Sequence, residues 1–216
     1  MNKIDTSWSK LLHADMGSYV RDRMSDPLRT YHNINHIERL YAKANEWGIP
    51  YDSSLDGAIL WHDAVYDAAP HKEARSAVLA IQCAQDNPDW FKHLDLVEIN
   101  AQILSTAEHK VTPNVCPTMI KLDLAELGDP VRRRENFWAI LQESTNLYGM
   151  DAVTACNGTV QFMDKLALTM KANRAQPSEM LHRSFWNDIL EGCATVSLMG
   201  STICDFYDFN LDTPLS

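Results

Sequence analysis

The stretch Trp61–Tyr66, with the sequence WHDAVY, places a histidine directly before an aspartate at the end of an apolar run. His62 and Asp63 together offer an imidazole nitrogen and a carboxylate oxygen to one cation, which neither group provides alone. Upstream apolar residues fall at helical spacing on the face of His62: Leu55, Ala58 and Ile59. This spacing predicts a helix that directs His62 into the core of the fold.

At 216 residues the chain can form one sizeable core, with room for an appended helical lobe. Its formal net charge of −10 argues against a long nucleic acid as partner, because non-specific nucleic-acid binding depends on basic patches. A small phosphorylated substrate is compatible with this charge, since a bound divalent cation inverts the local charge balance. No apolar run has the length of a membrane span, and the polar N-terminus does not have the pattern of a secretory signal.

The five cysteines are odd in number, widely spaced and free of any C-x-x-C pair: Cys83, Cys116, Cys156, Cys193 and Cys204. They indicate neither a disulfide framework nor a cysteine-type zinc site. We therefore expect a protein of the reducing cytoplasm.

Nearly every segment has helical periodicity, so the predicted fold class is all-α. Proline and glycine punctuate helical segments at about 7–24, 29–47, 53–62, 71–84, 88–109, 118–127, 132–148, 160–170 and 181–198. Residues 171–178 are expected to form a polar linker, and 205–216 an acidic tail. Ser53 or Ser54 is expected to cap the third helix, with Asp56 in its first turn. The inward face of the fourth helix is predicted to carry Ala74, Ala77, Val78 and Ile81.

Two further segments carry metal-ligand candidates. His32 and His36 are spaced i, i+4, so they share one face of a helix if both are helical. Asp123 lies in an apolar stripe at helical spacing with Ile120, Leu124 and Leu127. A buried carboxylate requires a cation, a metal ion or a proton. Three helices therefore carry candidate ligands toward the core: His36, then His62 with Asp63, then Asp123.

Two neutral imidazoles and two carboxylates leave coordination positions open for water and substrate, which is typical of a catalytic rather than a closed metal site. A divalent ion held there binds a phosphoryl oxygen as a Lewis acid and lowers the pKa of its water. Mn, Fe, Co, Ni, Zn and Mg all accept ligands of these types.

With these four residues in this order, the chain resembles the HD-domain superfamily of metal-dependent phosphohydrolases. The resemblance covers about residues 29–148. Five stretches are similar to successive motifs of a bacterial and phage subgroup described as predicted HD phosphohydrolases: RTYHNINHI (29–37), WHDAVYD (61–67), EARSA (73–77), TAEH (106–109) and DLAELG (123–128). Where the subgroup has Asn-Glu-Glu, this chain has Lys72-Glu73-Ala74.

The resemblance implies an all-α HD-domain helical bundle with additional C-terminal helices. Its core would span residues 1–150, and a helical extension, 151–216, would cover the site or form a homodimer interface. The implied metal ligands are His36, His62, Asp63 and Asp123. Glu73 is the candidate general acid or base, with Asp67 as competitor.

Arg29, His32, Lys72 and His109 are the candidate substrate-binding residues, since each offers a donor to phosphate. The alternatives are a surface ion pair for Arg29, a solvated side chain for Lys72 and a polar helix end for His109. Tyr66 and Trp61 either stack on a base or belong to the core.

The function that the resemblance implies is hydrolysis of a phosphate ester or anhydride in a nucleotide or similar small phosphorylated metabolite. One alternative is an HD-type di-iron oxygenase, which would need two extra histidines from the set His71, His93 and His109. Another is a non-catalytic scaffold that binds a nucleotide or a protein.

Overall fold

The computed structural model describes residues 8–112 and 117–211, with the backbone alone for residues 180, 181 and 205–211. Within these ranges all regular structure is helical, with eleven α-helices and two 3-10 helices, Leu11–His13 and Pro177–His182, which confirms the predicted all-α class. The α-helices are α1 Asp15–Arg23, α2 Ile34–Glu46, α3 Ser53–Trp61, α4 Lys72–Asp86, α5 Pro88–Phe91, α6 Leu96–Ser105, α7 Thr118–Asp123, α8 Ala125–Gly128, α9 Arg132–Tyr148, α10 Ala152–Arg174 and α11 Arg183–Leu211.

The chain divides into two compact units, residues 1–123 and 124–216. The first unit contains α1–α7, and the second contains α8–α11. Every site residue predicted from the sequence lies in the first unit.

Helix α3 is the centre of the first unit. Its residues from Ser54 to Trp61 are all buried, and it contacts α1, α2, α4, α6 and α7. Gly57 permits the close approach of α6, because a Cβ atom at this position would lie 2.6 Å from Ile99 Cδ1. The predicted inward stripe of Leu55, Ala58, Ile59 and His62 is confirmed, since each of these residues is at most 4% exposed.

The start of α3 differs from the prediction. Asp52, rather than Ser53 or Ser54, caps the helix, and its Oδ1 accepts a hydrogen bond of 2.8 Å from the Leu55 N–H. An N-cap side chain reaches the N–H three residues ahead, so the cap that serves Leu55 must come from residue 52. Asp56 is in the first turn, as expected, but it is completely buried.

The predicted inward face of α4 is wrong in part. Ala77 is buried, but Val78 is 50% exposed and Ile81 is 38% exposed. The buried face is made instead of small residues: Ser76, Ala77, Ala80, Cys83 and Ala84. Helix α4 contacts α3, α5 and α6, so its neighbours in the fold, rather than the size of its side chains, select the face that is buried.

Several boundaries also differ. The segment 88–109 is two helices, α5 and α6, because the Asp95 side chain accepts hydrogen bonds from Val97 N and Glu98 N and starts α6 anew. The segment 118–127 breaks at Leu124. Helix α10 continues to Arg174 through the first half of the predicted linker, and α11 continues to Leu211 through part of the predicted tail. Polar composition alone does not end a helix, and the break comes near Pro177.

In the second unit, α10 and α11 pack along each other, and α9 contacts both. Their buried side chains are mostly apolar or thiol groups: Phe137, Leu141, Cys156, Met163, Leu166, Met170, Trp186, Ile189, Cys193 and Val196. Among the described residues, no helix has the length and apolar character needed to cross a membrane.

Candidate metal centre

The four predicted metal ligands converge in the interior of the first unit. His36 is in the first turn of α2, which Asn33 caps by accepting a hydrogen bond from the Asn35 N–H. His62 and Asp63 directly follow α3, and Asp123 ends α7. His36, His62 and Asp63 are 0%, 1% and 5% exposed, and the Asp123 side chain is 15% exposed. Helices α2, α3 and α7 therefore bring four ionisable side chains together in the interior of the first unit.

The ligand atoms of these residues are close to one another. His36 Nε2 and His62 Nε2 are 3.3 Å apart, and they lie 3.4 and 3.6 Å from Asp123 Oδ1. These three residues offer ligand atoms that all lie within 4.8 Å of one another. Asp63 lies beside both histidines, with Oδ2 3.1 Å from His62 Nε2 and 3.8 Å from His36 Nε2.

These separations fit a shared divalent ion. Ligands at about 2.1 Å from an ion lie about 3.0 Å apart at a right angle and about 3.4 Å apart in a tetrahedron. The five separations given above run from 3.1 to 3.8 Å. Two imidazoles and two carboxylates are also a donor set that Mn, Fe, Co, Ni and Zn accept. His36, His62 and Asp123 can therefore hold a metal ion, and Asp63 lies beside the two histidines of this group.

The orientation of His62 supports this fit. Its Nδ1 lies 2.9 Å from the carbonyl oxygen of Ile59. A carbonyl oxygen only accepts, so Nδ1 carries the proton and donates it. In the neutral imidazole, Nε2 therefore carries the lone pair and directs it into the cluster, as in metal sites where a second hydrogen bond fixes the histidine tautomer.

His36 has no such support. Its Nε2 also faces the cluster, but its buried Nδ1 has no hydrogen-bond partner among the described residues. Tyr31 instead contacts its ring, with centroids 5.2 Å apart. Packing, rather than a second hydrogen bond, sets the orientation of this ligand.

The electrostatics of the cluster favour positive charge beside the two carboxylates. Burial lowers the pKa of His62, but the carboxylates of Asp63 and Asp123 outweigh burial and raise it well above the usual value. Burial likewise raises the pKa of Asp63, yet the neighbouring histidines lower it overall, chiefly His62. Asp123 follows the same pattern, with hydrogen bonds to His109, His36 and His62 lowering its pKa. Without an ion, a proton shared with the histidines must offset the two carboxylates.

His109 also contacts the cluster. Its Nε2 lies 3.0 Å from Asp123 Oδ2, the carboxylate oxygen that is not directed at His36 and His62. The residue has a positive φ of 52°, which is uncommon for a side chain other than glycine. Of the four predicted substrate-binding residues, His109 therefore contacts a candidate metal ligand directly.

His32 and Lys72 cover opposite faces of the Tyr66 ring. The His32 ring stacks on Tyr66 with centroids 3.9 Å apart, and Lys72 Nζ lies 3.6 Å from the Tyr66 centroid. Van der Waals radii do not allow both groups on one face. Because the His32 ring also meets the edge of His36, at 5.7 Å between centroids, this stack borders the metal ligands.

In this structure neither Tyr66 nor Trp61 has an open ring face on which a nucleobase could stack. Both faces of Tyr66 are covered, and Trp61 is completely buried beside Tyr19 and Phe91. In this conformation the two aromatic residues pack within the protein.

Arg29 is buried, with 4% of its surface exposed. Its guanidinium donates hydrogen bonds of 2.5 Å to the His32 carbonyl, 2.5 Å to the Asp63 carbonyl and 3.4 Å to the Arg23 carbonyl. The surface ion pair considered for this residue is therefore wrong.

The two candidates for proton transfer differ in surroundings. Glu73 is half-buried in the first turn of α4. Asp67 is exposed and accepts two hydrogen bonds from Arg75, of 2.6 and 2.7 Å. Arg75 lowers the pKa of Asp67 to about 2.

The extra histidines are not all brought to the cluster. His109 lies beside Asp123, but His71 and His93 are exposed. His71 has a positive φ of 60° at the start of α4.

The sequence did not indicate the contacts that support the ligands. Three contacts were missed: the Ile59 carbonyl with His62, the Tyr31 ring with His36, and the stack of His32 on Tyr66. The sequence offers a signal only for the two aromatic contacts, because a tyrosine lies close to each histidine motif. No family model matches the chain, and neither curated proteins nor solved structures give a match.

Proposed function

We propose that this protein is a metal-dependent phosphohydrolase of the HD-domain type. Its substrate is a phosphate ester or anhydride of a nucleotide or a similar small phosphorylated metabolite. The observation that carries the proposal is the buried convergence of His36, His62, Asp63 and Asp123 from three helices. The same four residues carry the resemblance to the HD superfamily.

His36, His62, Asp63 and Asp123 would hold the divalent ion. When bound, such an ion supplies Lewis acidity at a phosphoryl oxygen and makes a water molecule more acidic. The protein keeps His62 Nε2 directed at the cluster through the Nδ1 hydrogen bond to Ile59. His109 does the same for Asp123 by holding its second carboxylate oxygen.

Glu73 is the proposed proton-transfer group. Asp67 is less suited to this role, because a carboxylate whose pKa is lowered to about 2 is a weak proton acceptor. Its bidentate bonds to Arg75 also occupy both carboxylate oxygens.

His32 and Lys72 are the proposed groups for binding the phosphate or its leaving group. They flank Tyr66 at the border of the cluster, where an anionic substrate would meet donors and positive charge. The overall charge of −10 favours a small substrate over a long nucleic acid.

The test is phosphate or pyrophosphate release by the full-length protein from nucleoside mono-, di- and triphosphates and simple phosphate esters. Mn²⁺, Co²⁺, Ni²⁺ or Mg²⁺ is added, and bound metal is measured in parallel by mass spectrometry of the elements. We expect release from one substrate group, loss of release on chelation and recovery when metal is restored. Absence of release from the whole panel by metal-loaded protein would contradict the proposal.

A second candidate is the di-iron oxygenase, because His109 lies within 3.0 Å of Asp123 and adds one histidine beside the group. It is weaker, since the other two histidines considered for it, His71 and His93, are exposed. Metal content separates the candidates: two irons per chain with oxygen uptake favour the oxygenase, and activity with a redox-inert ion favours the hydrolase.

A further inference from the structure

The candidate metal ligands come from separate segments of the chain. His36 follows the loop that leads into α2, and His62 with Asp63 follows α3. The geometry of the group depends on the distance between the start of α2 and the turn after α3. A contact that joins these two backbone segments would set that distance.

Arg29 makes this contact. Its Nε donates to the His32 carbonyl, one residue before the Asn33 cap of α2. Its neighbouring Nη2 donates to the Asp63 carbonyl, directly after α3. One buried guanidinium therefore bonds both segments, each at 2.5 Å.

Hydrogen bonds also hold the backbone of Arg29 itself. The Arg29 carbonyl accepts a hydrogen bond of 2.8 Å from Asn33 Nδ2, and the Arg29 N–H donates to the Asp26 carbonyl. The turn after α3 has a second tie, since Ser76 Oγ accepts a hydrogen bond of 3.0 Å from the Val65 N–H. Arg29 thus connects two held segments.

The carbonyl of Asp63 is a group that needs a donor. Asp63 lies one residue past the C-cap of α3, and a cation is favourable at this end of a helix. With the carbonyl bonded to Arg29, the Asp63 carboxylate points toward His62 and His36, with Oδ2 at 3.1 and 3.8 Å.

We infer that Arg29 is a positioning residue that sets the geometry of the metal ligands through the two carbonyls of His32 and Asp63. This inference rests on the proposed function, because it concerns the same metal group. It replaces direct phosphate binding as the role of Arg29. The planar guanidinium suits the role because it holds several donors in a rigid fork, whereas a lysine ammonium carries its donors on one nitrogen.

Three possible roles of Arg29 predict different effects of Arg29→Gln on metal affinity. If Arg29 were only a positive charge near the ion, its removal would strengthen metal binding by reducing repulsion. If it positions the ligands, removal weakens metal binding about 10- to 100-fold, as is typical for groups that orient metal ligands. If it binds substrate phosphate, metal affinity stays unchanged and KM rises.

The experiment measures the Kd of Co²⁺ by titration calorimetry and the visible absorption spectrum of the Co²⁺-loaded full-length protein. Arg29→Gln is compared with Arg21→Gln, which removes an arginine from an exposed ion pair with Glu38 on α1 and α2. We expect a 10- to 100-fold weaker Kd and an altered Co²⁺ spectrum for Arg29→Gln only. Circular dichroism of the metal-free proteins establishes that the helices are intact.

If Arg29→Gln does not fold, Arg29→Lys provides the test, because lysine keeps the positive charge but cannot bond both carbonyls in the geometry of the guanidinium. A folded Arg29→Lys protein with weaker Co²⁺ binding supports the inference, and one with wild-type affinity and spectrum overturns it. Stronger or unchanged Co²⁺ binding by folded Arg29→Gln also overturns it while the proposed function stands. Failure of the wild-type protein to bind Co²⁺ or Mn²⁺ overturns both.

Discussion

The two ends of α3 each carry a buried aspartate, and their surroundings differ in kind. Asp56, in the first turn, accepts hydrogen bonds from Tyr41 Oη at 2.7 Å, Tyr51 Oη at 3.1 Å and the Leu11 N–H at 3.4 Å. Asp63, just past the last turn, faces two histidines, and Asp123 lies against the same two.

The difference lies in the balance of donors. Both tyrosines are dependable donors, because burial and Asp56 raise the pKa of Tyr51 to about 12 and that of Tyr41 well above 10.0. Asp56 is therefore satisfied by the protein alone. At the other end two carboxylates meet imidazole nitrogens, and a cation held there would complete the set. A buried carboxylate with its own donors is structural, whereas one without enough donors is a candidate site.

The largest difference between the two ends of α3 should come from substitution of a candidate metal ligand. We expect His62→Ala or Asp63→Ala to lose more than about 100-fold in metal affinity, and phosphate release to fall to background. Asp56→Asn should retain metal content and activity, since its partners lie at the other end of α3. Metal analysis after dialysis and phosphate assays measure this. Full activity in either ligand variant would remove the site assignment.

Proton transfer is the next largest effect. Glu73→Gln should lower kcat by about 10²- to 10⁴-fold with metal content unchanged. Asp67→Asn removes an exposed ion pair with Arg75 and should change kcat far less. The pH profiles of kcat for both variants and the wild-type protein provide the measurement. If Asp67→Asn has the larger effect, the two roles are exchanged.

At the structural end of α3, Tyr41→Phe removes the shortest hydrogen bond to Asp56 and leaves a buried carboxylate with one donor fewer. We expect a loss of about 1–3 kcal/mol in the free energy of unfolding and no change in metal affinity. Tyr19→Phe is the matched control, because the contacts of Tyr19 with Trp61 and Trp90 are made by its ring. Urea titration measures the stabilities, and equal losses in both variants would contradict a specific role for the Asp56 network.

Local periodicity and residue chemistry predicted the parts of the fold that depend on them. The stripe from Leu55 to His62 and the carboxylate of Asp123 among apolar residues were read from helical spacing, and the structure buries the stripe and directs Asp123 to the histidines. Such features depend on neighbours within one helix, so the sequence displays them directly.

The features that were missed depend on neighbours from other helices. The exposed Val78 and Ile81 belong to a stripe that is as periodic as the buried one, and only the approach of α3 and α6 selects between them. The bonds from Arg29 to Asp63 and from Tyr41 to Asp56 join residues 34 and 15 positions apart. No spacing rule connects such pairs.

The smallest effect is on the pH dependence of stability. Burial raises the pKa of Asp56 above 3.8, although Tyr41, Tyr51 and Leu11 oppose it. The folded protein then binds this proton more tightly than the unfolded chain. The resulting stability is fully present below pH 3.8 and is lost as the pH rises through the folded pKa. Asp56→Asn cannot titrate, so the wild-type protein should gain stability relative to it as the pH falls from 7 toward 4.

Asp67→Asn provides a control of opposite sign. Its pKa is lowered to about 2, so the stability that Asp67 contributes is present above pH 3.8 and is lost as the pH falls toward 2. The wild-type protein should therefore lose stability relative to Asp67→Asn at low pH while it gains relative to Asp56→Asn. Differences between each variant and the wild-type protein, measured by urea unfolding, cancel the titration of distant groups. A pH-independent difference for Asp56→Asn would show that its carboxyl has the same proton affinity in the folded and unfolded chain, and the contrast between the two ends of α3 would then rest on the ligand group alone.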